Sequence, residues 1–568
     1  MIIGIDLGTT NSLVAVWRDG VELVPNALGE VLTPSVVSLD RTGEVVVGAA
    51  ARERLSTHPE LTAATFKRHM GTARQIALGT RCFRAEELSS FVIRALRSDA
   101  EAFLGAPVEE AVITVPAYFS DAQRRATRQA GELAGLRVDR VLNEPTAAAL
   151  AYGLAEPEVD GSVLVFDLGG GTFDVSVLEM NEGVMEVRAT AGDNFLGGED
   201  FDDAIAIWFA GAAGIPLPDP LEPGPAGELL SARLRRTVEA ARRRLSTATE
   251  TEITLPLPGG GEARAVLTAT EFARIGEPLL ERLRRPVARA LADSRIRPES
   301  LSHVVLAGGA TRMPLVRREA ARLFGRLPLQ RLNPDEVVAR GAAVQAGLKG
   351  RSAALNDVVL TDVAPYTLGI EVSGGSSNVP GRMLPVIERN TVIPASRERD
   401  VVPAVDFQRA VTVRVFQGES RLVRDNIPLG EFDLPLAPRR RSEQGIAVRF
   451  TYDVNGILEV SARAEADNAT NRIVIRHGPD APSPEQAEQR LAALAALKLH
   501  PREAAANRLL LARGERLFAQ VLGRTRTALG DTIGAFEAAL ASQEPAAIAA
   551  AATRLTEAIR MADGEDMP

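Results

Sequence analysis

Two stretches of the chain, IGIDLGTTNS (3–12) and VFDLGGGTFDVS (165–176), set a carboxylate beside a glycine-rich turn and a run of hydroxyls. Each opens on β-formers: Ile2, Ile3 and Ile5 precede Asp6, and Val163, Val165 and Phe166 precede Asp167. The chain then turns through Gly8-Thr9-Thr10, or through Gly169-Gly170-Gly171-Thr172, and resumes as a strand. Glycine permits positive φ and close approach of a ligand. Successive amides in such a turn form an anion-binding concavity. A carboxylate beside those donors suits a divalent cation, because Mg2+ is commonly held by one or two carboxylates plus substrate phosphates. The chemistry implied is a two-sided phosphate grip. The plain alternative is a pair of β-hairpins with glycines at their turns, and the matched repetition weighs against it.

The elements that must position these loops alternate as strand and helix from residue 1 to about 350, which indicates an α/β architecture. Residues 120–136 read as a helix, with Ser120 and Gln123 at capping-box spacing and Gly135 near the end. The stretch 215–228, dense in proline and glycine, reads as a loop. A basic helix over 229–246 and a hairpin over 251–267 follow it. Near 350 the texture changes. NDVVLTDVAP (356–365) is a short apolar strip between Asp357 and Asp362, which suits a segment that docks in one state and is released in another, or an edge strand. Alternating strands with turn signals, including Asn455-Gly456, then predict an antiparallel β domain. Ser483, Pro484 and Gln486 predict the start of a helical tail rich in Ala, Leu, Arg and Glu, in which 544–560 is a plain packed helix.

Composition sets bounds on function. The 568 residues suffice for about three or four domain-sized units, and 45% hydrophobic content suffices for real cores. A formal charge of −9 argues against a nucleic-acid-binding surface. The lone Cys82 excludes an intramolecular disulfide and is expected to be a buried or semi-buried packing thiol. His58, His69, His303, His477 and His500 show no zinc-ligand spacing. The N-terminus enters a functional strand without a basic flank, and no long apolar run suggests a membrane span, so a cytoplasmic location is expected.

The two repeated motifs, together with VPAYFSDAQRRAT (115–127), NEPTAAALAYG (143–153), FLGGEDFD (195–202), VVLAGGATRMPLV (304–316) and NPDEVVARGAAVQAG (333–347), closely resemble DnaK-type chaperones of the heat-shock protein 70 family. The details look most like the shorter HscC branch. The resemblance covers nearly the whole chain and implies a multidomain fold. An actin-like α/β ATPase domain of two related lobes would occupy 1–355 and an interdomain linker 356–362. An antiparallel β-sandwich peptide-binding domain would follow at 363–480, and a short α-helical lid at 481–568. The implied cofactors are ATP or ADP with Mg2+, and K+ is admitted as well. The implied partners are unfolded or extended polypeptides and a J-domain co-chaperone, with the need for a nucleotide-exchange factor left open.

Residue by residue, the resemblance gives Asp6 and Asp167 to Mg2+, and Gly8, Thr9, Thr10 and Asn11 to one side of the phosphates. Gly169, Gly170, Gly171 and Thr172 take the other side, with Gly197 and Gly198 nearby. Lys67, otherwise an ordinary solvated helix lysine, faces the γ-phosphate, and Glu144 orients the attacking water beside Thr172. Glu239, Arg242, Arg243 and Ser246 form one adenosine wall, and Gly308, Gly309, Ala310, Arg312 and Asp335 the other. Arg242 replaces the family's more common lysine; an arginine can stack on the base and offers more donors, so binding is expected to be retained. Pro116, Arg124, Arg140 and Asp362 match the interdomain switch. Arg140, Asn143, Glu179 and Glu186 match the neighbourhood of the J-domain footprint. Thr361 departs from the usual hydrophobic linker residue. Leu368, Ile370, Val411, Val413 and Ile457 match the peptide pocket, with Ser373 and Ala404 at its arch. Ser373 stands where methionine is common and the 374–384 loop is long, so a bulky clamp is missing or rebuilt there. The short tail implies a lid that closes less completely. A metabolic kinase or a nucleotide-controlled polymer on the same actin-like fold is the alternative, and either leaves the second half of the chain without a use.

Overall fold

A computed structural model describes the chain apart from residues 41, 156–159, 182–183, 217–224, 258–259, 330, 353–354, 356–358, 375–378, 453–457, 468, 476–501, 543–544 and 564–568. The repeated motifs occupy equivalent places in two sheets. Ile2–Asp6 lies between a parallel neighbour, Glu110–Val115, and an antiparallel one, Asn11–Trp17. Gly161–Leu168 lies in the same way between His303–Ala307 and Phe173–Asn181. Arg137–Asn143 and Val21–Leu23 extend the first sheet, and Val184–Asp193 extends the second. Each aspartate therefore ends its strand where the chain turns back, and the two turns face each other across a cleft.

Helices Glu144–Ala155 and Val337–Lys349 run between the lobes and pack tightly. A methyl group at Gly341 would overlap the Ala147 carbonyl, so only glycine permits this approach. In the second lobe Phe166, Phe173 and Phe324 are fully buried, with the Phe166 ring 4.7 Å from Phe173 and 6.5 Å from Phe324. Each contributes roughly 2–3 kcal/mol by burial.

The apolar strip forms a strand, Val359–Val363, that adds to the second lobe in parallel with Val184–Asp193. Its other edge pairs with Val392–Ile393. It is thus docked on the α/β unit and continuous with the β domain; Asp357 lies outside the described residues. Beyond it, two four-stranded antiparallel sheets pack around Leu368, Ile370, Val415, Val448, Phe450 and Val460. The tail contributes Arg502–Gln520, Gly523–Ser542 and Pro545–Asp563, packed on Leu529, Phe536 and Leu555.

Local expectations meet the structure unevenly. Asp121–Leu133 is capped by Ser120, whose amide donates to Gln123 Oε1 at 2.9 Å, and Gly135 follows at φ 81°. The hairpin forms from Glu250–Pro256 and Glu262–Thr268. The basic helix begins at Pro225 rather than 229, because proline fits a first helical turn and its missing donor costs nothing there. Cys82 is exposed rather than packed, since it sits on the outward face of the short hairpin Ile76–Leu78/Arg81–Phe83. The Asn455-Gly456 turn and the Ser483 cap lie outside the described residues.

Candidate active site

The cleft encloses a cavity of about 1110 Å³. Of the residues expected at the nucleotide, all but Gly171 and Gly197 line it. The Gly169 amide donates to the Thr172 carbonyl at 3.0 Å, closing the second turn. The two loops nearly touch: a side chain at Gly170 would collide with the Thr10 hydroxyl, and one at Gly171 with Thr9. Behind the second loop, the amides of Gly198 and Glu199 donate to the carbonyls of Gly169 and Gly170, which pins the helix Gly198–Ala213 to the turn.

Lys67 is buried, not solvated. Its Nζ lies 2.6 Å from Glu144 Oε1, with the two side chains only 3% and 9% exposed. Around this pair stand Asp6, Asp167 and Asp174. Burial pushes Asp6 up to about 7, with the Glu144 charge adding to the rise and Lys67 opposing it. Burial and the neighbouring carboxylates of Glu144, Asp174 and Asp6 lift Asp167 well above the usual range. Asp174 reaches about 8 through burial and Glu144, although its Oδ1 accepts the Tyr118 amide at 3.0 Å. Asp6 Oδ1 accepts from Thr114 Oγ1 at 3.1 Å, but Asp167 Oδ2 is buried without a hydrogen-bond partner. A bare carboxylate oxygen is costly to bury. Among the described residues no three His, Cys, Asp or Glu side chains converge on one metal position.

On the wall expected to hold adenosine, Arg242 forks onto Asp202, with Nε–Oδ1 at 2.7 Å and Nη2–Oδ2 at 3.1 Å. Its plane is therefore fixed from behind. Burial pushes Asp202 to about 6 despite that pairing. Glu239 takes Arg52 of the first lobe at 2.8 Å and Arg243 at 2.7 Å. Opposite, Arg312 Nε donates to Asp335 Oδ2 at 2.7 Å.

Residues 2–567 match the family model described as Hsp70 protein. The chain is 44% identical over 482 residues to the chaperone protein DnaK of Thermotoga maritima, covering 81% of this chain and 78% of that one. The DnaK of Thermotoga petrophila matches equally, and that of Thermosipho africanus is 44% identical over 476 residues, 81% of this chain and 77% of that one. The chain belongs to the Hsp70 family. As a member it is an ATPase and an ATP-dependent chaperone, and the kinase and polymer alternatives are not favoured. These relatives carry the DnaK name and lend no support to the HscC branch in particular.

The residues matching this family's interdomain switch come together. Arg124 Nη2 donates to the Ala117 carbonyl at 3.0 Å and to Asn143 Oδ1 at 2.5 Å, and Asn143 Nδ2 donates to Asp362 Oδ2 at 2.8 Å. Pro116 begins the same turn, its carbonyl accepting from the Phe119 amide at 3.1 Å. Burial lowers Arg140, which feels the charge of Asp362. Glu179 and Glu186 flank Arg188, at 3.7 and 2.9 Å, Glu186 on the strand that pairs with Val359–Val363 and Glu179 on the strand behind it.

Sequence reasoning missed further groups in this chaperone. The Tyr366 hydroxyl donates to the Tyr118 carbonyl at 2.7 Å. Arg389 forks onto Asp293 at 2.8 and 2.9 Å, Asn390 Nδ2 joins it at 3.0 Å, and Asn390 Oδ1 accepts the Thr190 amide at 3.1 Å. The buried Gln417 accepts the amide of Asp121 at 3.3 Å. Asp174 and Tyr118 lay inside quoted motifs, where a carboxylate and an aromatic outside the matched roles were the only hint.

In the sandwich Leu368, Ile370, Val411 and Val413 all join the core between the sheets. Ser373 and Ala404 are exposed, and Ile457 lies outside the described residues. Beside Ala404 the same loop exposes Val402, Val405 and Phe407, the last 61% accessible.

Proposed function

We propose that this chaperone holds ATP between the two glycine loops and uses its hydrolysis to time the capture and release of extended apolar peptides by the β-sandwich. The observation that carries this reading is the route from Asp174, paired across its hairpin with the cleft residue Asp167, through Tyr118, to Tyr366 in the β domain. Lys67, fixed by Glu144, sets an ammonium against the γ-phosphate, while Glu144 also orients the attacking water beside Thr172. Phosphoryl transfer needs positioning and charge neutralisation more than covalent chemistry. Asp6 and Asp167 would hold Mg2+, which neutralises phosphate charge when bound, and the carboxylate-rich floor would accept K+ as well. The bare Asp167 oxygen supports this assignment.

Residues 1–355 act as the ATPase unit, 356–362 as the linker, 363–480 as the peptide-binding unit and 481–568 as the lid. Pro116, Arg124, Arg140 and Asp362 report nucleotide state to the linker, and a J-domain co-chaperone binds near Arg140, Asn143, Glu179 and Glu186. Phe407 and its apolar neighbours rebuild the clamp that Ser373 lacks. A cytoplasmic location accords with the DnaK relatives; among the described residues no helix is long and apolar enough to cross a membrane. Steady-state ATP hydrolysis with and without an extended apolar peptide tests the reading. Turnover that rises with peptide and stops on Mg2+ chelation supports it, and turnover indifferent to peptide overturns it.

A further inference from the structure

The tail helix Arg502–Gln520 lies against the helix Ala49–Arg54 of the first lobe, with Leu509 packed on Val36, Val46, Ala50 and Ala51. Two turns further along, Arg516 Nε stands 3.0 Å from Glu53 Oε2, both side chains under 15% exposed. The same carboxylate is forked from the opposite lobe by Arg236, at 2.8 and 3.1 Å. The next residue back, Arg52, pairs with Glu239 on Arg236's helix. Arg513, between the two tail anchors, lines the nucleotide cavity itself. Burial alone would raise the Glu53 carboxyl, yet Arg236, Arg516 and Arg513 hold it below the ordinary glutamate value.

The two lobes are therefore pinned across the mouth of the cleft at adjacent residues, and one of those pins is shared with the tail. We propose that the tail helix is a bolt on the nucleotide cleft: seated on Glu53, it keeps the lobes together and slows escape of the bound nucleoside triphosphate. This second duty is separate from covering peptide. It couples nucleotide retention to the position of the lid, since a lid that leaves the first lobe withdraws Arg516 and Leu509 together. The inference rests on assigning ATP to the cleft.

The test is stopped-flow release from the full chain of a fluorescent ATP labelled at adenine C8, chased with unlabelled ATP before hydrolysis. Arg516→Glu and Leu509→Asp remove the seat by different chemistry, and each is expected to speed release roughly tenfold with an unchanged circular-dichroism spectrum. Arg236→Ala is expected to speed it too. Combined with Arg516→Glu it should give less than the product of the two effects, because both act through Glu53. A wild type that binds the probe, with Arg516→Glu and Leu509→Asp releasing at the wild-type rate, overturns the bolt. A wild type that fails to bind the probe overturns the nucleotide assignment and the bolt with it.

Discussion

Tyr118 and Tyr366 lie against each other with ring centroids 4.4 Å apart, and the Tyr366 hydroxyl donates to the Tyr118 carbonyl at 2.7 Å. The Tyr118 amide meanwhile donates to Asp174 beside the phosphate loops. Under the proposed reading, a nucleotide-linked displacement of Asp174 is passed through Tyr118 to Tyr366 of the β domain. Tyr366→Phe removes one hydrogen bond, worth about 1 kcal/mol, and keeps the ring contact. ATP-driven acceleration of peptide release should fall about fivefold while ATP and peptide affinities measured in the separate states stay near wild type.

Lys67 and Glu144 form a buried pair among like-charged carboxylates. Lys67→Ala leaves Glu144 unpaired beside Asp6 and Asp167, which is expected to cost about 3 kcal/mol of stability without nucleotide. Single-turnover hydrolysis should slow by about 100-fold or more. Glu144→Gln, which retains an acceptor for Lys67, should slow hydrolysis while losing less stability in a thermal melt.

Thr361 stands in the docked linker strand with its hydroxyl buried and without a hydrogen-bond partner. An unmet hydroxyl costs about 1–3 kcal/mol, so Thr361→Val favours docking. The docked population, read by fluorescence transfer between labels on the two halves, should rise about fivefold or more at fixed ATP.

Arg389 and Asp293 join the β domain to the second lobe. Both are partly solvated, so a double-mutant cycle with alanine should give about 1 kcal/mol of coupling, reduced by salt. Hydrogen bonds from Arg389 hold the Asp293 carboxyl below its ordinary 3.8. A carboxyl lowered on docking contributes its full share above the undocked value and loses it as pH falls through the docked one. Docking through this pair should therefore be level between pH 5 and 8 and weaken only in acid.

The paired phosphate loops were legible because strand, carboxylate, glycine turn and strand are local chemistry written twice. Asp174 was hidden because its place opposite Asp167 depends on hairpin register, and the matching position of the first lobe, opposite Asp6, is Leu13. Asp202, Asp293 and Glu53 were invisible for a different reason: their arginine partners come from distant segments that only the fold brings together. The Pro225 helix start was misjudged because dense proline and glycine signal a loop until one proline is seen to begin a helix.

The central claim is that nucleotide in the cleft controls the grip on peptide, and fluorescence-anisotropy release of an extended apolar peptide tests it most directly. Release is expected to be much faster with ATP than with ADP, and Lys67→Ala and Thr172→Ala should remain in the fast state after ATP addition because they do not complete hydrolysis. Equal release with ATP and ADP in the wild type, or no peptide binding in either state, would contradict the coupling.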